Sequence, residues 1–147
     1  MIDFGKATAT DVPAIVQMLR DDDLGSTREK ASMETYLAAF EELNADPNQV
    51  LVVGRQGSNV VATLHLTIIP GLGRGATKRA QIECVRVDGD VRGQGVGQRM
   101  IEWAIGLATE GGAGMVQLTT DHKRPDALRF YESLGFINTH YGLKLFA

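Results

Sequence analysis

Hydrophobic and polar positions change period several times along the 147-residue chain. Residues 1–7, MIDFGKA, alternate weakly and predict a short strand. Thr10 or Asp11 can cap a helix over residues 11–21, where Pro13 is tolerated because first-turn amides have no intrahelical acceptor. The polar run DDDLGSTREK, residues 21–30, reads as a loop. A second helix over residues 31–43 places Met33, Leu37, Phe40 and Leu43 at spacings of four and three, and DPN ends it. Residues 49–69 read as a hairpin about Gln56-Gly57-Ser58-Asn59. A glycine-rich connection, PGLGRGATKR, leads to the strand AQIECVRV, residues 80–87.

After three glycines at alternate positions, Val96, Met100, Ile101, Ala104, Ile105 and Ala108 line one helical face, and Gly111-Gly112 stops that helix. MVQLTT is a further strand, PDALRFYESL a helix opened by Pro125 and closed by Gly135, and GLKLFA a last strand. The order β-α-α-β-β-β-α-β-α-β predicts a mixed α/β domain, and residues 82–120 form a βαβ unit whose two strands run parallel. The length suits one domain, residues 1–147, with a sizeable core.

Charge narrows the partners. Fifteen basic against eighteen acidic side chains leave −3, which argues against a general grip on nucleic acid. A single cysteine, Cys84, cannot form an internal disulfide, and neither a signal-peptide core nor an apolar run near the ~20 residues of a membrane span is visible. The expectation is a cytoplasmic protein. His65, His122 and His140 lack metal-ligand spacing, no second cysteine helps, and no metal is expected. Cys84 as a nucleophile would need a base that none of these histidines supplies recognisably, so it reads as a small core residue.

The turn between the strand ending at Val87 and the next helix carries the chemistry. A dinucleotide fingerprint fails because Gln98 stands where a third glycine is needed, and a nucleoside-triphosphate loop fails for want of its lysine and hydroxyl. What remains, Arg92-Gly93-Gln94-Gly95-Val96-Gly97, runs into a helix and can present backbone amides to a pyrophosphate; a merely tight turn is the competing reading.

The stretch VRVDGDVRGQGVGQRMIEWA resembles the acyl-coenzyme A motif [QR]-x-x-G-x-[GA] of the GNAT acyltransferase superfamily. RPDALRFYESLGF resembles that family's late helix, with Ala127, Phe130, Tyr131, Gly135 and Phe136 on its pattern. The resemblance implies a mixed, mostly antiparallel sheet with a splayed parallel pair, helices on both faces, and acetyl-coenzyme A as cosubstrate. It implies that Arg92, Gly93, Gln94, Gly95, Val96, Gly97 and Gln98 surround the pyrophosphate, while the strand Val85, Arg86, Val87 pairs with the pantetheine arm. It also implies an N-acetyltransferase, with a non-catalytic acyl-coenzyme A sensor or regulatory module as the alternative.

Amine acylation needs a base, since holding a lysine-like amine neutral at pH 7 costs roughly 4–5 kcal/mol. Glu83 is the candidate base, acting through water as in several family members. Strand alternation puts it with Val85 and Val87, opposite Cys84 and Arg86, and an ion pair with Arg79 or Arg86 is its structural alternative. Tyr131 is the candidate acid for the departing thiolate, against a plain core role on the stripe Ala127, Phe130, Tyr131, Leu134. Arg124 stands where many members carry asparagine. With Lys123 it could meet phosphate or an acidic acceptor, or be an exposed basic pair. Asp21, Asp22, Asp23 and Glu29 could suit a cationic amine, or simply form a solvated helix end. The expected acceptor is a small-molecule amine before a protein amine, and family habit implies a homodimer through C-terminal strands.

Overall fold

The structure, a computed structural model, describes residues 1–147. Its chain order is β1 (Asp3–Lys6), α1 (Val12–Arg20), α2 (Asp23–Arg28), α3 (Met33–Ala45), β2 (Gln49–Gln56), β3 (Asn59–Ile69), the single turn α4 (Gly73–Ala76), β4 (Lys78–Val87), α5 (Val96–Glu110), β5 (Ala113–Gln117) and α6 (Pro125–Ser133). One sheet of order β1-β2-β3-β4-β5 is antiparallel except for the parallel β4/β5 pair, as the βαβ pattern requires. The β2–β3 hairpin turns through Gly57 and Ser58 between the paired residues Gln56 and Asn59. No helix is long and apolar enough to cross a membrane.

Two apolar layers cover the sheet. On one face Val96, Met100, Ile101, Ala104 and Ala108 of α5 pack with Leu64, Leu66, Ala80 and Ile82 of the central strands, and α6 adds Tyr131. On the other, Val12, Ile15 and Val16 of α1 meet Phe40 of α3 and Val53 of β2. The α3 stripe differs from its expected phase: Leu37 is exposed, while Tyr36 turns inward against this second layer. Tyr36 is held there by its hydroxyl donating to Glu29 Oε1 at 2.9 Å and by Arg20, 5.8 Å above its ring.

Three further expectations are corrected. The run 21–30 contains the helix α2, because Asp22 caps it by accepting the Gly25 amide. Asp11 does not cap α1 forward; its carboxylate accepts the Thr8 amide at 2.7 Å and pairs with Arg55. GLKLFA is not a strand. Residues 137–147 lie outside every helix and strand and make no backbone hydrogen bond, and the side chains of Ile137, Tyr141, Leu143, Leu145 and Phe146 are 81–98% exposed. An edge strand needs a partner edge, and the tail does not meet one within its own chain.

Helix α2 sits hard against α1. A Cβ on Gly25 would come within 1.8 Å of the Leu19 carbonyl oxygen, a backbone atom that cannot move aside alone. Gly25→Ala is expected to lower stability by about 2 kcal/mol through overpacking, read from the midpoint of chemical denaturation. An unchanged midpoint would show that α2 is not fixed by this contact.

Candidate active site

The site begins where the sheet comes apart. Pairing of β4 with β5 ends at Gln81 and Gln117, whose side chains are bridged at 2.8 Å, while β4 continues to Val87. The Asp88 amide donates to Val61 of β3 at 2.8 Å, so the peptide groups of Val85 and Val87 point the other way, into the opening. Arginines occupy both carbonyls: Arg86 Nη1 donates to Val85 at 2.9 Å and Arg92 Nε to Val87 at 3.1 Å.

Beyond Val87 a 3-10 turn, Gly89–Val91, leads into the glycine turn. Gly93 and Gly95 have φ of 79° and 75°, left-handed values that any side chain would strain, and Gly95 is the residue from which α5 starts. The amides from Gly93 to Gln98 find no acceptor in the protein, so the turn and the first turn of α5 offer a continuous run of donors at a helix N-terminus. This donor set fits a pyrophosphate. Gly97 has a different task, because a Cβ there would lie 3.4 Å from the Phe130 ring and 3.6 Å from Val87, where α5, α6 and β4 converge. Val96 is buried, Gln94 is exposed, and the Gln98 side chain is taken by Glu102 at 2.9 Å, leaving only its amide for the turn. Arg99, which the sequence reading passed over, stands on the same rim with Nε 3.4 Å from the Gly95 carbonyl.

Tyr131 of α6 is edge-on to Phe130 and Phe136 with ring centroids 5.2 and 5.8 Å away. The core stripe holds its ring, yet its hydroxyl makes no hydrogen bond within the protein. Burial pushes the phenol pKa above its ordinary value, against a smaller downward pull from Arg86 and Arg124, so the group keeps its proton. Arg124 is no exposed partner of Lys123. Its side chain turns inward beside Arg86, and the two guanidinium groups share Asp22 Oδ2, at 2.8 and 3.8 Å. Asp22 is therefore engaged by arginines, and Glu29 by Tyr36, leaving neither as a free acidic lining.

Glu83 is placed differently from its expected face. Between Thr63 and His65 on β3, strand β4 advances from Arg86 to Glu83, one residue more than its partner. The extra residue is a bulge at Cys84, whose φ is 55°. The bulge shifts the alternation, so Val85 and Val87 pack toward α5 while Glu83, Cys84 and Arg86 share the face toward α1. Glu83 consequently has no apolar bed and no arginine partner. Its carboxylate lies 3.9 Å from His65 Nδ1, and the His65 Nε2 is 2.7 Å from Gln49 Oε1. Because Gln49 Oε1 only accepts, neutral His65 carries its proton on Nε2 and leaves Nδ1 toward Glu83. Burial lowers the His65 pKa and Glu83 partly restores it. This pairing was illegible before the strand register was known.

Cys84 is not a core residue: it is exposed at the bulge, beside an apolar cavity of about 150 Å³ lined by Leu19, Tyr36, Phe40, Leu51 and His65 among others. Desolvation of its sulfur against this cavity, then the Glu83 charge, raises its thiol pKa, which opposes thiolate chemistry.

A sequence profile of the Acetyltransferase (GNAT) family matches residues 14–136. A segment of 51 residues is 39% identical to aminoalkylphosphonate N-acetyltransferase of Salmonella typhimurium, covering 35% of this chain and 33% of that protein's length. Among solved structures, one titled as a transcriptional regulator from Bacillus halodurans C-125 superposes with a TM-score of 0.96 at 43% identity over 100% of both chains. An aminoglycoside N-acetyltransferase in complex with coenzyme A superposes with a TM-score of 0.83 at 15% identity over 100% of this chain and 95% of that one, a likeness of fold.

The His65–Glu83 contact has a measurable signature. His65 is expected to titrate below the ordinary value of 6.5, and lower still in Glu83→Gln, because the carboxylate is what raises it. Its lowered pKa adds stability that is complete above pH 6.5 and declines as pH falls through the folded value. Following the imidazole protons by NMR checks both shifts; an upward shift in Glu83→Gln would contradict the contact.

Proposed function

The chain belongs to the GNAT acetyltransferase family, and from that premise we propose that it transfers the acetyl group of acetyl-coenzyme A to the amine of a small molecule, by direct attack in a ternary complex. The observation that carries the reading is the edge of β4 left unpaired beyond Gln81, leading into a turn of free amides at Gly93–Gln98. The named acceptor of the Salmonella typhimurium relative, an aminoalkylphosphonate, is a small molecule, which favours that class over a protein amine. We read residues 1–147 as one such domain, and the lone Cys84 supports a cytoplasmic location.

Bound acetyl-coenzyme A supplies the thioester, whose C–S bond breaks as the amine nitrogen forms its bond to the carbonyl carbon. The amides of Gly93 to Gln98, with Arg92 and Arg99 at the rim, hold the pyrophosphate. The slot-facing peptides of Val85 and Val87 hold the pantetheine arm in register; Arg86 and Arg92 release their carbonyls as it enters. Glu83, with the neutral Nδ1 of His65 beside it, takes the proton leaving the amine through water. Tyr131 gives its proton to the sulfur that departs, and the protonated state set by burial makes it competent to do so.

The same fold titled as a transcriptional regulator in Bacillus halodurans gives a second reading, a regulatory module that binds without turnover. Release of free thiol separates the two. With an amine panel, wild type is expected to release thiol in an amine-dependent manner, and Tyr131→Phe to lower kcat about 100-fold with acetyl-coenzyme A binding retained. Binding without release from any amine would favour the regulatory module.

The tail bears on assembly. It carries alternating apolar side chains, it lacks backbone partners, and β5 presents an edge of the sheet. A homodimer in which each tail pairs with its partner satisfies both, burying side chains worth about 1.5–3 kcal/mol each. Removing residues 138–147 is expected to convert a dimer into a monomer in light scattering; an unchanged mass would remove the tail from the interface.

A further inference from the structure

Arg86 and Arg124 are more than fillers of the sheet opening. Each guanidinium offers five N–H groups and neither can be neutralised near pH 7. Arg86 satisfies one donor on the Val85 carbonyl, and its Nε is buried without an acceptor. Arg124 Nη2 is also buried without a hydrogen bond; its 2.8 Å approach to Asp22 Oδ2 lacks hydrogen-bond alignment. Asp22 is the one carboxylate in ion contact with both, and it is shared further with the Gly25 amide. Two positive charges thus face one negative charge, with buried donors left over. Both side chains are mostly covered, and a buried guanidinium N–H without an acceptor is costly until one arrives. The planar fork matches a phosphonate, phosphate or carboxylate better than any neutral group.

Position decides which ligand that acceptor belongs to. The amide run at Gly93–Gln98 already provides for a pyrophosphate at the far end of the opening. The arginines instead meet Asp22 on the α1-facing side of β4, the side on which Cys84 stands. Arg86 also shares the α1-facing side of β4 with Glu83, three residues away and therefore less than about 10 Å along the strand. An amine whose proton goes to Glu83 can reach Arg86 with a second group through a few bonds. A diamine would bring its second cation against two arginines.

We propose that the acceptor is a primary amine carrying an oxyanion on a short carbon chain, and that Arg86 and Arg124 bind that oxyanion. The proposal rests on the N-acetyltransferase reading above and specifies its substrate class. Phosphonate and carboxylate share the chemistry, and the experiment separates them.

Thiol release is measured with 2-aminoethylphosphonate and glycine against the uncharged ethanolamine and glycinamide, and with a diamine. Wild type is expected to favour one of the charged amines over its uncharged counterpart by about 100-fold in kcat/KM. Arg124→Gln should reduce that ratio at least about 10-fold, chiefly through the acceptor KM, and Arg124→Lys should recover part of it. Thermal unfolding of each variant separates misfolding from lost recognition. In parallel, the charged amines are titrated into protein saturated with coenzyme A. Binding to wild type that weakens in Arg124→Gln supports the site even if no amine is turned over, in which case the transfer reading alone falls. Equal use of charged and uncharged amines, or no titratable binding in wild type alongside no preference in turnover, overturns the proposal.

Discussion

Parallel strand pairing that stops early is the constraint on which the rest of this structure depends. Strand β4 stays paired with β3 to its end but loses β5 after Gln81, so its next residues present a half-sheet edge inside the protein. Unpaired peptide groups at such a place need a ligand, water or side chains. Here arginine side chains cover Val85 and Val87, the two positions an extended arm would use. The glycine turn follows because α5 must start where that edge ends, and its first amides then face the same opening. Tyr131 is held beside the opening by its edge-on contact with Phe130, whose packing against Gly97 couples α6 to the start of α5.

The bulge at Cys84 divides labour across β4. Without it, Glu83 would share the apolar α5 face with Val85 and Val87. With it, the apolar side chains stay in the core, and Glu83, Cys84 and Arg86 stand together facing α1. A left-handed residue other than glycine costs of order 1–3 kcal/mol, and the surrounding ladder with β3 maintains it. The outcome is a polar strip bordered by His65 from β3, Asp22 at the N-cap of α2 and Arg124 at the N-cap of α6. The charge balance of that strip depends on α2, the helix that Gly25 fixes against α1.

Much of this was legible in the sequence. The helical stripe Val96, Met100, Ile101, Ala104 and Ala108 is buried as its spacing predicts, the hairpin turns where Gly57 and Ser58 stand, and the parallel pair follows from the βαβ order. The glycine turn and Tyr131 were singled out by motif and resemblance as candidates. What escaped depended on geometry that periodicity does not encode. Alternation places Glu83 correctly only if no residue is added to the ladder, and nothing in IECVRV marks Cys84 as extra. His65 acquires meaning only from its register opposite Glu83. Asp22 looks like one of three solvated aspartates until its cap on Gly25 and its two arginines are seen together. The tail alternates like a strand, yet a strand exists only with a partner edge, which is not a local property of GLKLFA.

That tail and the edge of β5 have a consequence for closure. A segment given by one chain and received by another can be exchanged reciprocally, and two molecules then satisfy each other and growth stops. Exchange in one direction leaves a receiving edge at one end and a donating tail at the other, which extends without limit. In the proposed dimer that choice would fall to the short stretch after Phe136, whose length would decide whether a tail can return to the neighbour that lent its own. Were the proposed dimer to form, a few residues after the last helix would set the boundary between a finite particle and an open polymer.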